Sequence, residues 1–171
     1  PRKAMAQLVM GIDPGTATTG YGLVQEDAGH LECAGFGVVT TPAGDPLEVR
    51  LESIYRDLTK VLKQYQPTTA AVEKLFFNRN ITSAMAVGHG RGVALLAISH
   101  CGLRASEYTP SQVKQAVTGY GGASKSQVQH MVRTLLNLEA IPRPDDAADA
   151  LAVAICHAHS GRTVELTGAH T

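Results

Sequence analysis

Asp13, Glu73, Asp146 and Asp149 occupy surroundings that give a carboxylate little structural reason to be there. Asp13 closes the apolar run Leu8-Val-Met-Gly-Ile12, and Glu73 lies within Ala70-Ala-Val-Glu-Lys-Leu75. Asp146 and Asp149 are three positions apart, so on a helix their carboxylates share a face about one turn apart. The sequence after them, Ala150-Leu-Ala-Val-Ala-Ile155, is apolar nearly all round. Acids buried beside such a segment are costly unless a cation offsets them. Oxygen-only ligands without paired cysteines favour a hard cation, Mg²⁺ or Mn²⁺, over zinc. Two such ions about 3.5–4 Å apart can polarise a phosphodiester, lower the pKa of an attacking water and stabilise the departing 3′ oxygen. The chemistry expected is therefore phosphodiester hydrolysis.

Each acid also has a structural alternative. Asp13 can cap the turn at Pro14-Gly15, and Asp145 or Asp146 can cap a helix. Asp145, beside Pro144, is the expected N-cap and is not expected to be a ligand. His157 and His159 read as neutral core or surface histidines before they read as ligands.

Other residues suggest a polyanionic substrate. Lys125 follows Gly121-Gly122 at the start of a helix, where its ammonium and open backbone amides could meet one phosphate, and Lys114 precedes it. Phe76 and Phe77 follow the Glu73 strand in a polar stretch containing Asn78-Arg-Asn80. An exposed aromatic there could stack on an unpaired base, and Phe77 is expected to pack inward. Gly88-x-Gly-x-Gly92 lies inside a helical run and follows no strand–turn junction, so it is not a dinucleotide fingerprint. Its small residues permit close packing, either on the sheet or on a second copy.

The elements that must position these residues follow from periodicity. Leu8–Asp13 reads as a buried strand stopped by Pro14-Gly15, and Gly20–Gln25 and Leu31–Thr40 complete a meander. Asp45-Pro46 offers an N-cap and first-turn proline for a helix carrying Leu47, Leu51, Ile54, Leu58, Leu62 and Tyr65, ended by Pro67. Ala70–Leu75 is a short strand, Ile81–Cys101 a long helix ended by Gly102, and Ala105–Thr109 a further strand. Ser124 and Gln127 form a capping box for a helix buried through Val128, Met131, Val132, Leu135 and Leu136, and a last helix starts near Asp145. A meander followed by alternating helices and strands is the order of an α/β fold with a mixed five-stranded sheet flanked by helices. Residues 1–160 form one domain in this reading, and the aperiodic segment 161–171 is expected to be a flexible tail.

At 171 residues with 44% hydrophobic content the chain can bury one core, and a charged fraction of 18% excludes a disordered polyelectrolyte. No apolar run approaches the roughly 18 residues of a membrane span. The basic residues 1–5 lead into Gly11-Ile12-Asp13 before a signal-peptide core can form, so a cytoplasmic location is expected. Cys33, Cys101 and Cys156 are odd in number and widely spaced, as buried thiols would be. Net charge is zero, yet between Lys74 and Arg143 eight basic residues face only Glu107 and Glu139. A cationic surface can thus surround a concentrated acidic site.

Five motifs carry a family resemblance: Gly11-Ile-Asp-Pro-Gly15 with Thr19-Gly-Tyr-Gly22; Ala71-Val-Glu73 followed by Phe76; Gln112-Val-Lys-Gln115; Lys125-Ser-Gln-Val-Gln-His-Met-Val-Arg133; and Asp146-Ala-Ala-Asp-Ala-Leu-Ala152. In order and spacing the chain resembles the bacterial RuvC-type Holliday junction resolvases, most weakly in residues 26–44 and after His159. The resemblance implies a ribonuclease-H-like fold, a homodimer, and Asp13, Glu73, Asp146 and Asp149 as the catalytic metal-binding set with two Mg²⁺ per subunit, Mn²⁺ substituting. Some relatives carry histidine where Asp146 stands. It further implies that Lys114 and Lys125 bind DNA near the scissile bond, that Phe76 stacks at the junction, and that a RuvA/RuvB-type branch-migration complex is a partner at the bacterial nucleoid. Two competing expectations remain. One is a module that binds four-way junction DNA without cutting. The other arises because Asp13-Pro-Gly-Thr-Ala-Thr-Thr-Gly20 also resembles the phosphate loop of the actin and sugar-kinase superfamily, although 171 residues cannot supply that superfamily's second lobe.

Overall fold

The computed structural model describes residues 6–74 and 81–167, the side chains of 81–83 and 162–167 excepted. Three antiparallel strands come first: β1 (Gln7–Asp13), β2 (Thr18–Asp27) and β3 (His30–Thr40). Helix α1 (Leu47–Tyr65) leads to β4 (Thr69–Glu73), α2 (Ile81–His100) to β5 (Ala105–Tyr108), and α3 (Pro110–Thr118), α4 (Lys125–Leu135) and α5 (Asp145–Thr167) complete the chain. The five strands form one mixed sheet in the order β3-β2-β1-β4-β5, with β4 parallel to β1 and β5 parallel to β4. The mixed five-stranded sheet expected from the pattern is therefore present.

Period-two alternation sorts the strands between two cores. Met10, Ile12, Ala70 and Val72 point to the layer of α1 and α2, where Ile54, Leu58, Leu62, Ala94, Ala97 and Ile98 cover them. Val9 and Ala71 point to the other layer, built on α5 with α3 and α4 outside it through Val113, Val117, Val128 and Val132. Asp13 and Glu73 have the parity of Val9 and Ala71, so both acids face α5.

Helix α5 lies against the sheet with almost no side chain between them. It presents Ala147, Ala150 and Ala154, all fully buried. Beneath it Gly11, Gly20 and Gly22 line β1 and β2. A Cβ on Gly11 would overlap the carbonyl of Ala150, one on Gly20 the carbonyl of Asp146, and one on Gly22 would stand 2.7 Å from the backbone nitrogen of Leu151. Only hydrogen fits at these three positions.

Some boundaries differ from the sequence pattern. Helix α1 has Pro46 at its N-cap and no side-chain cap, so Asp45 does not cap it. Its last carbonyls are closed by Gln66, left-handed at φ 49°, whose N–H donates to Leu62. Helix α3 was not anticipated at all, although Thr109 and Gln112 form the same reciprocal capping box as Ser124 and Gln127, with Pro110 in the first turn. Its core contribution, Val113 and Val117, is too short to establish a helical period. Helix α5 continues past Gly161 to Thr167. Of the three thiols, all unpaired, Cys156 is buried and Cys33 and Cys101 only partly so. Among the described residues no helix is long and apolar enough to cross a membrane.

The glycine contacts predict opposite outcomes for chemically identical changes. Gly11→Ala and Gly20→Ala should each lower the unfolding free energy by about 3 kcal/mol, because the obstructing atoms are backbone. Gly92→Ala, on an exposed helical position with nothing within 4 Å, should raise it by roughly 0.5–1 kcal/mol. Urea denaturation of the three variants checks the contrast.

Candidate active site

Asp13 is the last residue of β1, and its cross-strand partner on β2 is Gly20. Because Gly20 carries no side chain, the first turn of α5 settles directly on it at Asp146. This contact brings Asp146 beside Asp13, and the helical period then brings Asp149 into the same region. On the other flank, the parallel register pairs Ile12 with Val72, which sets Glu73 level with Asp13 at the carboxyl ends of β1 and β4. All four carboxyl-bearing residues are half-buried.

The loop after Asp13 is held from several sides. Thr19 Oγ1 donates to the Gly15 carbonyl at 2.6 Å, and Thr41 Oγ1 donates to the Thr16 carbonyl at 2.5 Å. The Thr41 N–H donates to Ala17 at 3.1 Å, and Arg50 Nε donates to Thr41 Oγ1 at 2.9 Å. Gly90 of α2 packs on Gly15, where a Cβ would stand 2.9 Å from the Gly15 carbonyl carbon. The glycines of Gly88-x-Gly-x-Gly92 thus have separate uses: Gly90 packs inward on this loop and Gly92 faces outward.

Crowding the acids together changes their protonation. Burial pushes the Asp13 carboxyl up to about 8, with the charges of Glu73, Asp149 and Asp146 adding to the rise and Lys125 opposing it. Burial also raises Glu73, reinforced by Asp149 and countered by Lys114 and Lys125. Asp149 is raised by burial against the hydrogen bond and charge of Lys125, with Asp145 and Asp146 adding to the rise. Each neighbour thus makes the next proton harder to remove.

Lys125 supplies the local positive charge. Its Nζ lies 3.1 Å from Asp149 Oδ2 and 3.3 Å from Asp145 Oδ2. Burial works to lower its pKa, but the two carboxylates prevail and hold it above its ordinary value. The capping box at Ser124 fixes this position: Gln127 N–H donates to Ser124 Oγ at 3.3 Å and Ser124 N–H to Gln127 Oε1 at 2.8 Å. Lys114, on α3, joins Lys125, Glu73 and Asp149 in lining a cleft of about 260 Å³, walled by Pro110, Val113, Val128 and Ala152. An acidic floor with two lysines at its rim suits a phosphodiester: the acids can hold hard cations and the lysines can meet the phosphate. Among the described residues no three His, Cys, Asp or Glu side chains close into a ready-made ion cage.

The sequence-predicted residues distribute as follows. Asp13, Glu73, Asp146, Asp149, Lys114 and Lys125 are brought together, whereas Phe76 and Phe77 lie outside the described residues. Asp145 is not an N-cap; it is the first residue of α5 and pairs with both Lys125 and Arg143. That ion pair was not anticipated, and only the density of acids at 145–149 hinted at it. His157 is engaged away from the acids, with Thr69 and Tyr108, and His159 Nδ1 meets the Ala116 carbonyl. Of the basic middle segment, Arg91 is committed to Glu107 at 2.5 Å and Arg133 to the Leu138 carbonyl.

The wider comparison agrees with this geometry. Residues 9–157 match the family model described as crossover junction endodeoxyribonuclease RuvC. The protein of that name from Chloroflexus aggregans is 54% identical over 159 residues, spanning 93% of this chain and 97% of its own. That from Heliobacterium modesticaldum is 58% identical over 153 residues, spanning 90% and 94%. The structure of T. thermophilus RuvC in complex with Holliday junction substrate aligns with a TM-score of 0.87 at 39% identity, covering 92% of this chain and 96% of that one. On its ribonuclease-H-like fold and its sequence together, the chain belongs to the RuvC family of crossover junction endodeoxyribonucleases.

Proposed function

We propose that Asp13, Glu73, Asp146 and Asp149 hold two Mg²⁺ ions per subunit, with Mn²⁺ able to substitute, and that the chain uses them to cut four-way DNA junctions by paired symmetric nicks. The observation that carries this reading is the convergence of Asp13 and Glu73, level at the ends of β1 and β4, on Asp146 and Asp149 at the start of α5. Four half-buried carboxylates crowded together, with no sulfur or imidazole among them, fit a hard dication better than any other group. When bound, the ions would activate a water for attack on phosphorus and stabilise the leaving 3′ oxygen, giving 5′-phosphate and 3′-hydroxyl ends.

The chain's own residues do the rest. Asp13 and Glu73, at adjacent strand ends, and Asp146 and Asp149, on one helical turn, present their carboxylates from regular elements. Lys125, paired with Asp149 and Asp145, is the cation that would meet the phosphate. Lys114 lines the same cleft and holds the strand with it. Phe76 enters on its position after Glu73 alone, as the aromatic that stacks at the junction.

A twofold junction calls for two sites, and the reading includes a homodimer. Helix α2 supports it: Met85 and Leu96 are 60% and 48% exposed. A RuvA/RuvB-type branch-migration complex at the bacterial nucleoid is the proposed partner. Incubation with a synthetic four-way junction and Mg²⁺ should give nicks at symmetric positions, and Asp13→Asn should reduce the rate by at least about a hundredfold. Junction binding that persists in EDTA, with no cleavage in any divalent metal, would instead establish a binding module.

The raised carboxyl also predicts how stability responds to pH. The unfolded Asp13 releases its proton near 3.8 and the folded one near 8, so between these values the folded state binds more protons. Without divalent cations, stability should therefore fall as pH rises through that window. Asp13→Asn should melt several degrees above wild type at pH 8 in EDTA and close to it near pH 4. Mg²⁺ should restore wild-type stability most strongly at the alkaline end, because metal displaces the proton. Calorimetric melts with and without EDTA check all three.

A further inference from the structure

The glycine groove fixes α5 over β1 and β2, but β4 and β5 carry no glycine and cannot seat the helix in the same way. Polar links span that half, with Tyr108 also hydrogen-bonded to Ser160 of α5. His157 Nε2 lies 2.7 Å from Thr69 Oγ1, at the start of β4, and His157 Nδ1 lies 2.7 Å from the Tyr108 hydroxyl, at the end of β5. The Tyr108 and His157 rings meet at 5.7 Å between centroids. A neutral imidazole has one donor and one acceptor, so the two hydroxyls must take opposite roles, which fixes the geometry of the set.

Tyr108 is itself tied to the acidic cleft. It is the register partner of Glu73, and its carbonyl accepts the Lys74 N–H at 2.7 Å. The next residue, Thr109, caps the helix that carries Lys114. A shift of α5 along β4 and β5 would therefore move Asp149 relative to both Glu73 and Lys114, although His157 lies roughly 12 Å further along α5 than Asp149.

We infer that Thr69, His157 and Tyr108 form a positioning link that sets the spacing of Asp149 to Glu73 and thereby the affinity of the site for its divalent cation. The inference rests on the metal reading above. His157 touches neither substrate nor metal and acts through the helix.

Tyr108→Phe and Thr69→Val each remove one hydroxyl with little change of shape. Each should raise the Mg²⁺ concentration for half-maximal cleavage about tenfold while leaving KM for the junction unchanged. Without DNA, each should also weaken the rise in Tm that Mg²⁺ produces in wild type. The double variant should lose no more than the worse single one, since either change breaks the same link. The inference is overturned if both single variants, folded by circular dichroism at the assay temperature, keep the wild-type Mg²⁺ dependence and the wild-type Mg²⁺-induced Tm rise. It is overturned equally if their losses are additive. Wild type and Asp13→Asn run alongside separate the two levels: a wild type that does not cut, or an Asp13→Asn that does, removes the metal reading itself.

Discussion

The rest of the structure depends on the missing side chains at Gly11, Gly20 and Gly22, where helix α5 meets strands β1 and β2. A helix normally rests on a sheet through interleaved side chains, which leave its backbone well clear of the strands. Here Gly11, Gly20 and Gly22 remove one layer and the alanines of α5 thin the other, so helix carbonyls lie where strand Cβ atoms would be. The acids of the helix and the acid of the strand reach each other only because of that approach. With ordinary residues at these positions the carboxyl groups would still exist but would not share one field.

That approach has an electrostatic cost, and the surroundings show how it is met. Half-buried carboxylates at close quarters resist ionising, and Lys125 is placed to relieve Asp149 while Lys114 relieves Glu73. Asp13 has no ion pair among the described residues and is raised furthest. The loop after it is correspondingly over-held: three threonine hydrogen bonds, Arg50 behind one of them, and Gly90 packed on the backbone. A site whose charges repel one another must be held by its scaffold, and the scaffold here is hydrogen-bonded backbone and close packing rather than salt bridges.

Much of this was legible in the chain. Apolar surroundings singled out Asp13 and Glu73, helical spacing placed Asp146 with Asp149, and the capping box at Ser124 located Lys125. What was not legible is what depends on pairs distant in sequence. Nothing local to Gly20 says that it faces Asp146, and nothing local to Tyr108 or His157 says that they meet. Helix α3 escaped because two buried valines do not make a period, even though its capping box was written in Thr109-Pro-Ser-Gln112. Asp145 was misassigned because a residue beside proline at a helix start fits a cap, and its true partner, Lys125, lies on another helix.

The two halves of the α5 contact differ in kind, and this bears on how the site can yield. Over β1 and β2 the helix meets backbone, a hard steric contact that has one seat and no gradual alternatives. Over β4 and β5 it is joined by hydroxyl–imidazole bonds, which tolerate small shifts and can be remade. Asp13 and Asp146 therefore form the rigid pair, whereas the distance from Asp149 to Glu73 is the softer coordinate. Lys125 lies on that softer side, bound to Asp149 and reached by the cleft that Glu73 also lines. A lysine turned toward a phosphate would move on that side, away from the glycine seat beside Asp13.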